Sequence, residues 1–265
     1  MSLSCATEIC EEVLKSKKYN SLHKPLVLRI CEEECKNYNN TKERVKAVKG
    51  TLHAMYGAYV SDNMFKKANK ILEANDKTLP TDVEAVLRLH ASTKERVGDL
   101  NEFYSFIFET IGVHNINSIL DIGCGFNPFT ITYHPQPPKK YYALDICERI
   151  ANLNNNYFKL LEIEGDAGCI DIATSTPQIS VDVTFIFKLL PLIERQVKGR
   201  SAKLLKEIDT KFFVITYPTK SLTGKEKGMQ VFYAQAFEET VGDNMVVLAK
   251  KEIGTELVYI TATNP

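Results

Sequence analysis

The sequence predicts an α/β protein in which a helical N-terminal domain precedes a mostly parallel, doubly wound β-sheet. From Thr7 to about Leu100 the apolar residues recur at helical spacing, and β-branched alternation is absent. After Val113 the pattern changes to short apolar runs separated by helical stretches and turns. We therefore expect a helical domain over residues 1–100 and an α/β domain over residues 101–265.

The apolar runs of the second domain locate its strands. Four runs are typical of buried strands in a parallel sheet that is covered on both faces, namely Ser118–Ile122, Tyr141–Ile146, Val181–Phe187 and Phe212–Tyr217. Near the end of the chain, the runs 245–249 and 257–261 flank Gly254, which predicts an antiparallel hairpin that finishes the sheet. In the first domain, Thr81-x-x-Glu84 and Ser92-x-x-Glu95 match the capping box that begins a helix.

Composition excludes several classes of protein. The chain has 33 basic and 33 acidic side chains, so its formal net charge of zero argues against a protein that coats nucleic acid indiscriminately. No apolar run approaches the roughly 20 residues that span a bilayer, and acidic residues interrupt the first 20 residues, so we expect a cytoplasmic protein without a membrane segment. The seven cysteines form no Cys-x-x-Cys pair, which favours reduced thiols over a metal site. A monomer is the default expectation.

A strand that runs into a glycine turn is the first candidate binding site. Ser118–Ile122 leads directly into Gly123 and Gly125, and Asp145 ends the next strand, where an acid can accept hydrogen bonds from ribose hydroxyls. A dinucleotide site would need a third glycine where this chain has Pro128. The Asp-x-Gly-x-Gly order therefore favours S-adenosylmethionine over a nicotinamide cofactor, while a glycine turn without a ligand is the structural alternative. A third acid is expected after the third strand, and spacing leaves Asp166 and Asp171 as alternatives.

Longer motifs resemble the aminoglycoside-resistance 16S ribosomal RNA methyltransferases that modify N7 of guanine 1405. The similarity covers nearly the whole chain, in order, and the Asn-Pro that follows the glycines and the Ser-Leu-x-Gly-Lys loop are its most specific parts. The stretches that carry it are Ser16–Tyr19, His90–Arg96, Asp121–Pro128, Phe187–Pro191, Tyr217–Met229 and Ile253–Tyr259. The resemblance implies a Rossmann-like class I methyltransferase domain and a helical N-terminal domain that docks on the 30S subunit.

The resemblance also implies which residues bind the cofactor. It places Asp171-Ile172 on the adenine side of S-adenosylmethionine, and it pairs Arg96 with the methionine carboxylate, a role that suits a guanidinium group. Without the resemblance, Ser92–Arg96 would be a plain capping box with a surface arginine. The expected cofactor-binding residues are Tyr59, His90, Ala91, Ser92, Arg96, Gly123, Gly125, Asp145, Asp171, Ile172, Phe187 and Gln196.

Methyl transfer to guanine N7 needs positioning and no general base, because N7 has an available lone pair. The five histidines have no partnered carboxylate in the sequence, in agreement with such a reaction. We expect the target base to be flipped into the pocket, with Lys188 near the nucleotide phosphate or base edge and with Glu194 and Glu256 as supporting residues. A strand-end lysine that reaches solvent is the alternative for Lys188.

Basic residues are the candidates for docking on RNA. We expect 16S rRNA helix 44 of an assembled 30S subunit to be the partner, bound through phosphate contacts that weaken with salt. These contacts are assigned to Lys17, Lys18, Lys66, Lys67, Lys220, Lys225 and Lys227. The sequence leaves two other functions open: methylation of another decoding-site nucleotide, such as adenine N1, and RNA binding without catalysis.

Overall fold

The computed structural model describes residues 3–57, 60–74, 80–219, 237–238, 240–242 and 245–264. The described strands form one seven-stranded sheet in the order β3-β2-β1-β4-β5-β7-β6. They are β1 (Ser118–Ile122), β2 (Lys140–Asp145), β3 (Glu164–Cys169), β4 (Val181–Phe187), β5 (Thr210–Pro218), β6 (Met245–Ile253) and β7 (Glu256–Thr263). The strand order reverses at β1, so the neighbouring β1 and β4 lead into connections on opposite faces, which is where α/β sheets bind ligands.

Strand pairing confirms the predicted sheet. The first five strands are parallel, whereas β7 runs antiparallel to both β5 and β6 as the predicted hairpin. The predicted bounds of β1 and β4 match the structure, and β5 is longer than predicted at both ends. All but the first residue of β1 are buried, as expected for a central strand between two layers.

The N-terminal part is helical, as predicted. The described helices along the chain are α1 (Leu3–Leu14), α2 (Lys24–Asn37), α3 (Thr41–Leu52), α4 (Asp62–Glu73), α5 (Pro80–Leu87), α6 (Ala91–Lys94), α7 (Leu100–Ile111), α8 (Glu148–Leu160), α9 (Leu190–Gln196) and α10 (Arg200–Glu207). A π-helical turn, His53–Gly57, follows α3 directly. In the described part of the chain, no helix is long and apolar enough to span a bilayer.

Helix starts show which capping predictions hold. Asn40 and Ser61 cap α3 and α4, because their side-chain oxygens accept hydrogen bonds from backbone N–H groups three residues later. The two predicted capping boxes are wrong: α5 already begins at Pro80, so Thr81 lies inside it, and α6 begins at Ala91, so Ser92 is within the helix as well. In both cases the helix starts before the Ser or Thr that was expected to cap it.

Buried residues join the helical part to the sheet. One continuous hydrophobic cluster runs from Ile9 and Ile30 in the first helices to Ile119 and Val258 in the sheet. The chain just before α2 also pairs with the loop after β2: Leu22 and Cys147 form an isolated antiparallel bridge. The division at residue 100 stays a prediction, and the two parts share their core.

Candidate functional site

A cavity of about 770 Å³ lies at the C-terminal ends of β1, β2 and β4. Its volume is in the range of small-molecule and cofactor sites. Helical residues of the N-terminal part, including Leu26 and Met55, complete the wall opposite the strands. The predicted site residues that line it are His90, Ser92, Gly123, Gly125, Asp145, Asp171, Ile172, Phe187, Lys188 and Gln196. The structure thus brings most of the predicted set together around one space.

The glycine turn after β1 forms the floor of the cavity. Gly123 and Gly125 have φ angles of 68° and 49°, which are in the left-handed region that favours glycine. A Cβ atom on Gly123 would lie 2.9 Å from Leu189 Cδ2, and one on Gly125 would lie 2.9 Å from His90 Cε1. Backbone conformation therefore favours glycine at both positions, the His90 ring closes the space beside Gly125, and the backbone of both glycines lines the cavity.

Asp145 is held by the backbone around it. Its Oδ2 accepts from the Gly125 N–H at 3.0 Å, and its Oδ1 accepts from the N–H groups of Ile146 at 2.7 Å and Cys147 at 3.1 Å. Burial raises the pKa of this carboxyl to about 6, although these three N–H groups act to lower it. Asp145 lines the cavity, so its oriented oxygens can accept hydrogen bonds from sugar hydroxyls.

Asp121 has a different environment, although it is the acid that begins the same motif. It is fully buried, and its Oδ2 accepts from Asn127 Nδ2 at 2.9 Å and from the Tyr141 hydroxyl at 2.8 Å. Burial raises its pKa to about 6. Because Asp121 lies behind the cavity wall, its contacts with Asn127 and Tyr141 fix the glycine turn and the strand beside it.

The structure separates the two acids that spacing left open. Asp166 lies within β3 and is exposed, whereas Asp171 follows β3, is buried and lines the cavity. The Asp171 carboxylate accepts hydrogen bonds from Arg29 Nε at 2.6 Å and from Arg29 Nη2 at 3.2 Å. Arg29 Nη2 also donates to Gln196 Oε1 at 2.9 Å. An arginine from α2 therefore reaches the cavity and binds two of its lining residues.

Arg96 is the centre of a buried ionic network. Its Nη2 contacts both Glu256 carboxylate oxygens at 2.8 Å, its Nε contacts the same carboxylate at 3.1 Å, and its Nη1 donates to Asn127 Oδ1 at 3.0 Å. The rings of Phe103 and Phe187 lie against the guanidinium, with their centroids 4.5 and 4.6 Å from its central carbon. Arg96 and Glu256 lie just outside the cavity wall, so the predicted contact of Arg96 with the methionine carboxylate stays a prediction.

Lys188 connects this network to the cavity. Its φ of 56° puts a non-glycine residue in the left-handed region directly after β4. Its Nζ lies 2.9 Å from Glu95 Oε2 and 3.3 Å from Glu256 Oε1. Burial alone would raise the pKa of Glu256, but the charges of Arg96 and Lys188 outweigh it and lower that pKa to about 2. Lys188 therefore lines the cavity as a cation held between two acids, not as a lysine that reaches solvent.

Glu194 has its partners at the start of a neighbouring helix. Its carboxylate accepts from the Gly199 N–H at 2.5 Å and from the Ser201 N–H at 3.1 Å, and its expected support of target positioning stays a prediction. These contacts satisfy the open N–H groups at the start of α10, and they lower the pKa of Glu194 against the raising effect of burial. Glu194 is thus committed to a helix start. Ala91 also lies outside the cavity wall.

The predicted RNA-contacting lysines that the structure describes are exposed, and one from each sequence cluster lies near the same acid. Lys17, Lys18, Lys66 and Lys67 are all exposed. A hydrogen bond from Arg149 lowers the pKa of Asp62, and Lys66 and Lys17 lower it further, so lysines from both sequence clusters lie near one acid. Tyr59, Lys220, Lys225 and Lys227 lie outside the described residues.

Sequence reasoning missed two residues at the site. Arg29 had no local signal, because its partners Asp171 and Gln196 are more than 140 positions away in the chain. Asn127 was recognised only as part of a motif, although its amide joins Arg96 to Asp121. The π-helical turn that carries Met55 and Tyr56 to the cavity was also not predicted, and such turns are frequent at functional sites.

These residues fit S-adenosylmethionine. The floor is bare glycine backbone, and the Asp145 acceptor lies at the end of the neighbouring strand. A pyrophosphate-containing dinucleotide would need N–H groups at the start of a long helix, but Pro128 follows the glycines and a 3₁₀ segment, Asn127–Tyr133, replaces that helix. The site therefore suits a nucleoside without phosphate.

The chain is similar in sequence and in fold to known ribosomal RNA methyltransferases. A family model described as ribosomal RNA methyltransferase (FmrO) matches residues 15–260. A 16S rRNA (guanine(1405)-N(7))-methyltransferase of Serratia marcescens is 34% identical over 252 residues, which are 95% of this chain and 96% of the relative. A relative with the same name from Proteus mirabilis is 31% identical and is covered to 96%, as is this chain.

Two solved structures extend the similarity to the fold. The 16S rRNA methylase RmtB is 31% identical with a TM-score of 0.85, and 98% of each chain is covered. The 16S rRNA methyltransferase RmtF, solved in complex with S-adenosyl-L-homocysteine, is 28% identical with a TM-score of 0.90 over the whole of both chains. The family model spans the glycine turn, Asp145 and Asp171. This chain belongs to the FmrO family of ribosomal RNA methyltransferases.

Proposed function

We propose that this enzyme transfers the methyl group of S-adenosylmethionine to N7 of guanine 1405 in 16S rRNA and so confers aminoglycoside resistance. The observation that carries the proposal is the cavity in which the glycine floor, Asp145, Asp171 and Lys188 come together. The relatives named above support the choice of nucleotide, because they carry that activity in their names.

The cofactor would lie across the ends of β1, β2 and β4. Asp145 accepts hydrogen bonds from the ribose hydroxyls, and Asp171 faces the adenine side. The bound cofactor supplies an electrophilic methyl group on a sulfonium centre. Arg96 is the candidate for the methionine carboxylate. It lies behind Phe187, with Glu256 and Asn127 already bound to its guanidinium, so such a contact would add to a network that is already formed.

The target base would enter beside Lys188. Guanine N7 carries its own lone pair, so no residue has to remove a proton before transfer, and the role of the protein is to align N7 with the methyl group. Lys188 is well placed for this because Glu95 and Glu256 fix its ammonium group at the cavity wall. The transfer moves a positive charge from sulfur to the guanine ring, and the partly exposed Glu95 lies where it can stabilise that charge.

Docking on the ribosome would use the lysines of the helical part. Lys17 and Lys66 lie near each other on the exposed surface, and contacts with phosphates there would make binding depend on salt. Because the chain has no net charge, shape must contribute to recognition, which favours the assembled 30S subunit with helix 44 over free RNA. We further propose that the enzyme is a cytoplasmic monomer.

The proposal is tested by incubating the enzyme with labelled S-adenosylmethionine and drug-sensitive 30S subunits, and by mapping the product through borohydride and aniline cleavage followed by reverse transcription. A cut at guanine 1405 is the expected result. Label that is incorporated at another site, such as adenine N1 of a neighbouring nucleotide, would keep the methyltransferase and overturn the target. No label on 30S, 50S or free RNA would favour RNA binding without catalysis.

A further inference from the structure

Arg29 connects the helical part of the protein to one end of the cofactor cavity. It lies on α2, its side chain is 14% exposed, and it forms an ion pair with Asp171, whose side chain is 5% exposed. The guanidinium contacts both Asp171 carboxylate oxygens and also Gln196 Oε1. Asp171 and Gln196 both line the cavity. One arginine therefore fixes two polar side chains that a bound ligand would meet.

The hydrogen bonds at Asp171 leave it with one defined acceptor position. A carboxylate has about four lone-pair positions. Arg29 Nη2 and the Ala173 N–H, both at 3.2 Å, occupy Oδ1, and Arg29 Nε at 2.6 Å occupies one side of Oδ2. The remaining lone pair is on Oδ2, so Asp171 offers a ligand an acceptor and nothing else.

The same arginine determines which end of the Gln196 amide faces which partner. A guanidinium can only donate, so the group that meets Arg29 Nη2 at 2.9 Å must be the carbonyl oxygen Oε1. At the other end, Nε2 donates to the Leu192 carbonyl at 3.2 Å. This orientation leaves Gln196 with a second Nε2 N–H, which is a donor.

An acceptor on Asp171 beside a donor on Gln196 matches one edge of adenine, whose 6-amino group donates and whose N1 accepts. Hypoxanthine presents the opposite order, with an accepting 6-oxo group and a donating N1. We propose that Arg29 is a positioning residue that sets this acceptor and donor order and so selects the adenine nucleoside. The inference rests on the proposed function, in which Asp171 faces the adenine side of the cofactor.

The alternative is that Arg29 only holds α2 against the catalytic part. Arg29 Nη1 also contacts Glu33 at 3.0 Å, a partner on the same helix that is half exposed and does not line the cavity. A merely structural arginine would affect the binding of every nucleoside to the same degree. A positioning arginine would change the preference between two nucleosides that differ at the 6-position alone.

The experiment is a calorimetric titration of the full-length enzyme with S-adenosylhomocysteine and with its deaminated analogue, S-inosylhomocysteine. We expect the unmodified enzyme to prefer the adenosine compound by at least about tenfold, because the analogue sets its 6-oxo group against a carboxylate. In Arg29→Met, Asp171 loses the two bonds that orient its carboxylate and Gln196 keeps only the Leu192 carbonyl as a partner, so the preference should fall to about threefold or less. Arg29→Lys keeps the positive charge but has fewer hydrogen-bond donors, so its preference should lie between those of the unmodified enzyme and Arg29→Met.

Glu33→Gln is the matched control, since it removes a partner of Arg29 without touching Asp171 or Gln196, and its preference should equal that of the unmodified enzyme. An Arg29→Met enzyme that loses affinity for both compounds equally would overturn the inference and leave the proposed function intact. Equal binding of both compounds by the unmodified enzyme would also overturn it. No binding of S-adenosylhomocysteine by the unmodified enzyme would instead contradict the proposed function. Should Arg29→Met fail to fold, the preference of Arg29→Lys is compared with that of Glu33→Gln. A lower preference in Arg29→Lys supports the inference, and an equal one overturns it.

Discussion

Glu256 and Asp145 are two acids at the cavity, Asp145 in its wall and Glu256 just outside it, and their partners give them different properties. Glu256 is 2% exposed and faces the fixed cations Arg96 and Lys188, which bring its pKa to about 2 despite burial. Asp145 faces three backbone N–H groups, which do not offset burial, so its pKa is about 6. Full charges therefore keep one acid ionised at all ordinary pH values, whereas amide dipoles leave the other able to titrate.

This difference separates a structural task from a binding task. The ion pairs of Glu256 are formed within the protein and are mostly buried, so they stabilise the shape of the cavity wall. The carboxylate of Asp145 is oriented but lacks a counter-charge, so a ligand that donates hydrogen bonds gains most there. Five measurements test this contrast, from the largest expected effect to the smallest, the first two of them on the same ion pair.

The largest effect is expected from Glu256→Gln. This change leaves Arg96 buried without its counter-charge, which typically costs about 3–5 kcal/mol of stability. Denaturant unfolding would measure the loss, and Glu102→Gln is the control, since its pair with Lys251 is exposed and is worth less than about 1 kcal/mol. A loss no larger than that of the control would show that the buried network does not stabilise the fold.

The same pair has a pH signature. The folded pKa of Glu256, about 2, lies below its ordinary value of 4.5, so its contribution to stability is fully present above pH 4.5. That contribution is lost as pH falls from 4.5 towards 2. The free energy of unfolding of the unmodified enzyme should decrease over this range more steeply than that of Glu256→Gln.

Lys188→Ala should come next, with a loss of 30S methylation of about a hundredfold, the size expected when a substrate group is misplaced. Affinity for S-adenosylhomocysteine should stay unchanged, because in our proposal Lys188 meets the nucleotide and not the cofactor. Methylation assays and calorimetry measure the two effects separately. Loss of both together would mean that Lys188 serves the cofactor end of the cavity.

A third effect is the pH dependence of cofactor affinity. Protonation of Asp145 removes the acceptors for the ribose hydroxyls, so affinity for S-adenosylhomocysteine should be constant above pH 6 and should fall by about tenfold per pH unit below it. Calorimetry between pH 5 and 8 measures this. Asp166→Asn, at an exposed acid on β3, should leave the profile unchanged. A flat profile in the unmodified enzyme would contradict the role assigned to Asp145.

The smallest effect is expected from Glu194→Gln, at an acid that belongs to neither end of the cavity. Weaker hydrogen bonds to the Gly199 and Ser201 N–H groups should lower the free energy of unfolding by about 1 kcal/mol or less, as for other helix-start contacts. Methylation of 30S subunits should not change. A large loss of methylation in a stably folded variant would instead support the role in target positioning that the sequence predicts.

Sequence patterns predicted the strands that carry an apolar run, including the mostly exposed β6, and did not delimit β3, which lacks such a run. Ser118–Ile122 and Val181–Phe187 lie in the middle of the sheet, so apolar runs mark them completely. Glu164–Cys169 could not be delimited, because β3 is an edge strand and its sequence, Glu-Gly-Asp-Ala-Gly-Cys, contains few apolar residues. Parallel pairing with β2 holds β3 in the sheet, and apolar periodicity does not record such pairing.

The site shows the same limit. Gly123, Gly125 and Asp145 were predictable because a strand, a turn and the end of the next strand are local features. Arg29 could not be predicted, since only the folded chain brings it to Asp171. For Glu194, the sequence could not reveal that the nearby start of α10 would take up its carboxylate.

The Leu22–Cys147 bridge has a consequence for how the protein matures. His23 N–H donates to the Ile146 carbonyl and Glu148 N–H to the Ser21 carbonyl, so the first helices are anchored to a loop far along the chain. During translation, residues 21–29 leave the ribosome long before Asp171 and Gln196 are made. The end of the cavity that contains Asp171 and Gln196 can therefore assemble only late in synthesis, and until then the N-terminal helices lack their permanent partners.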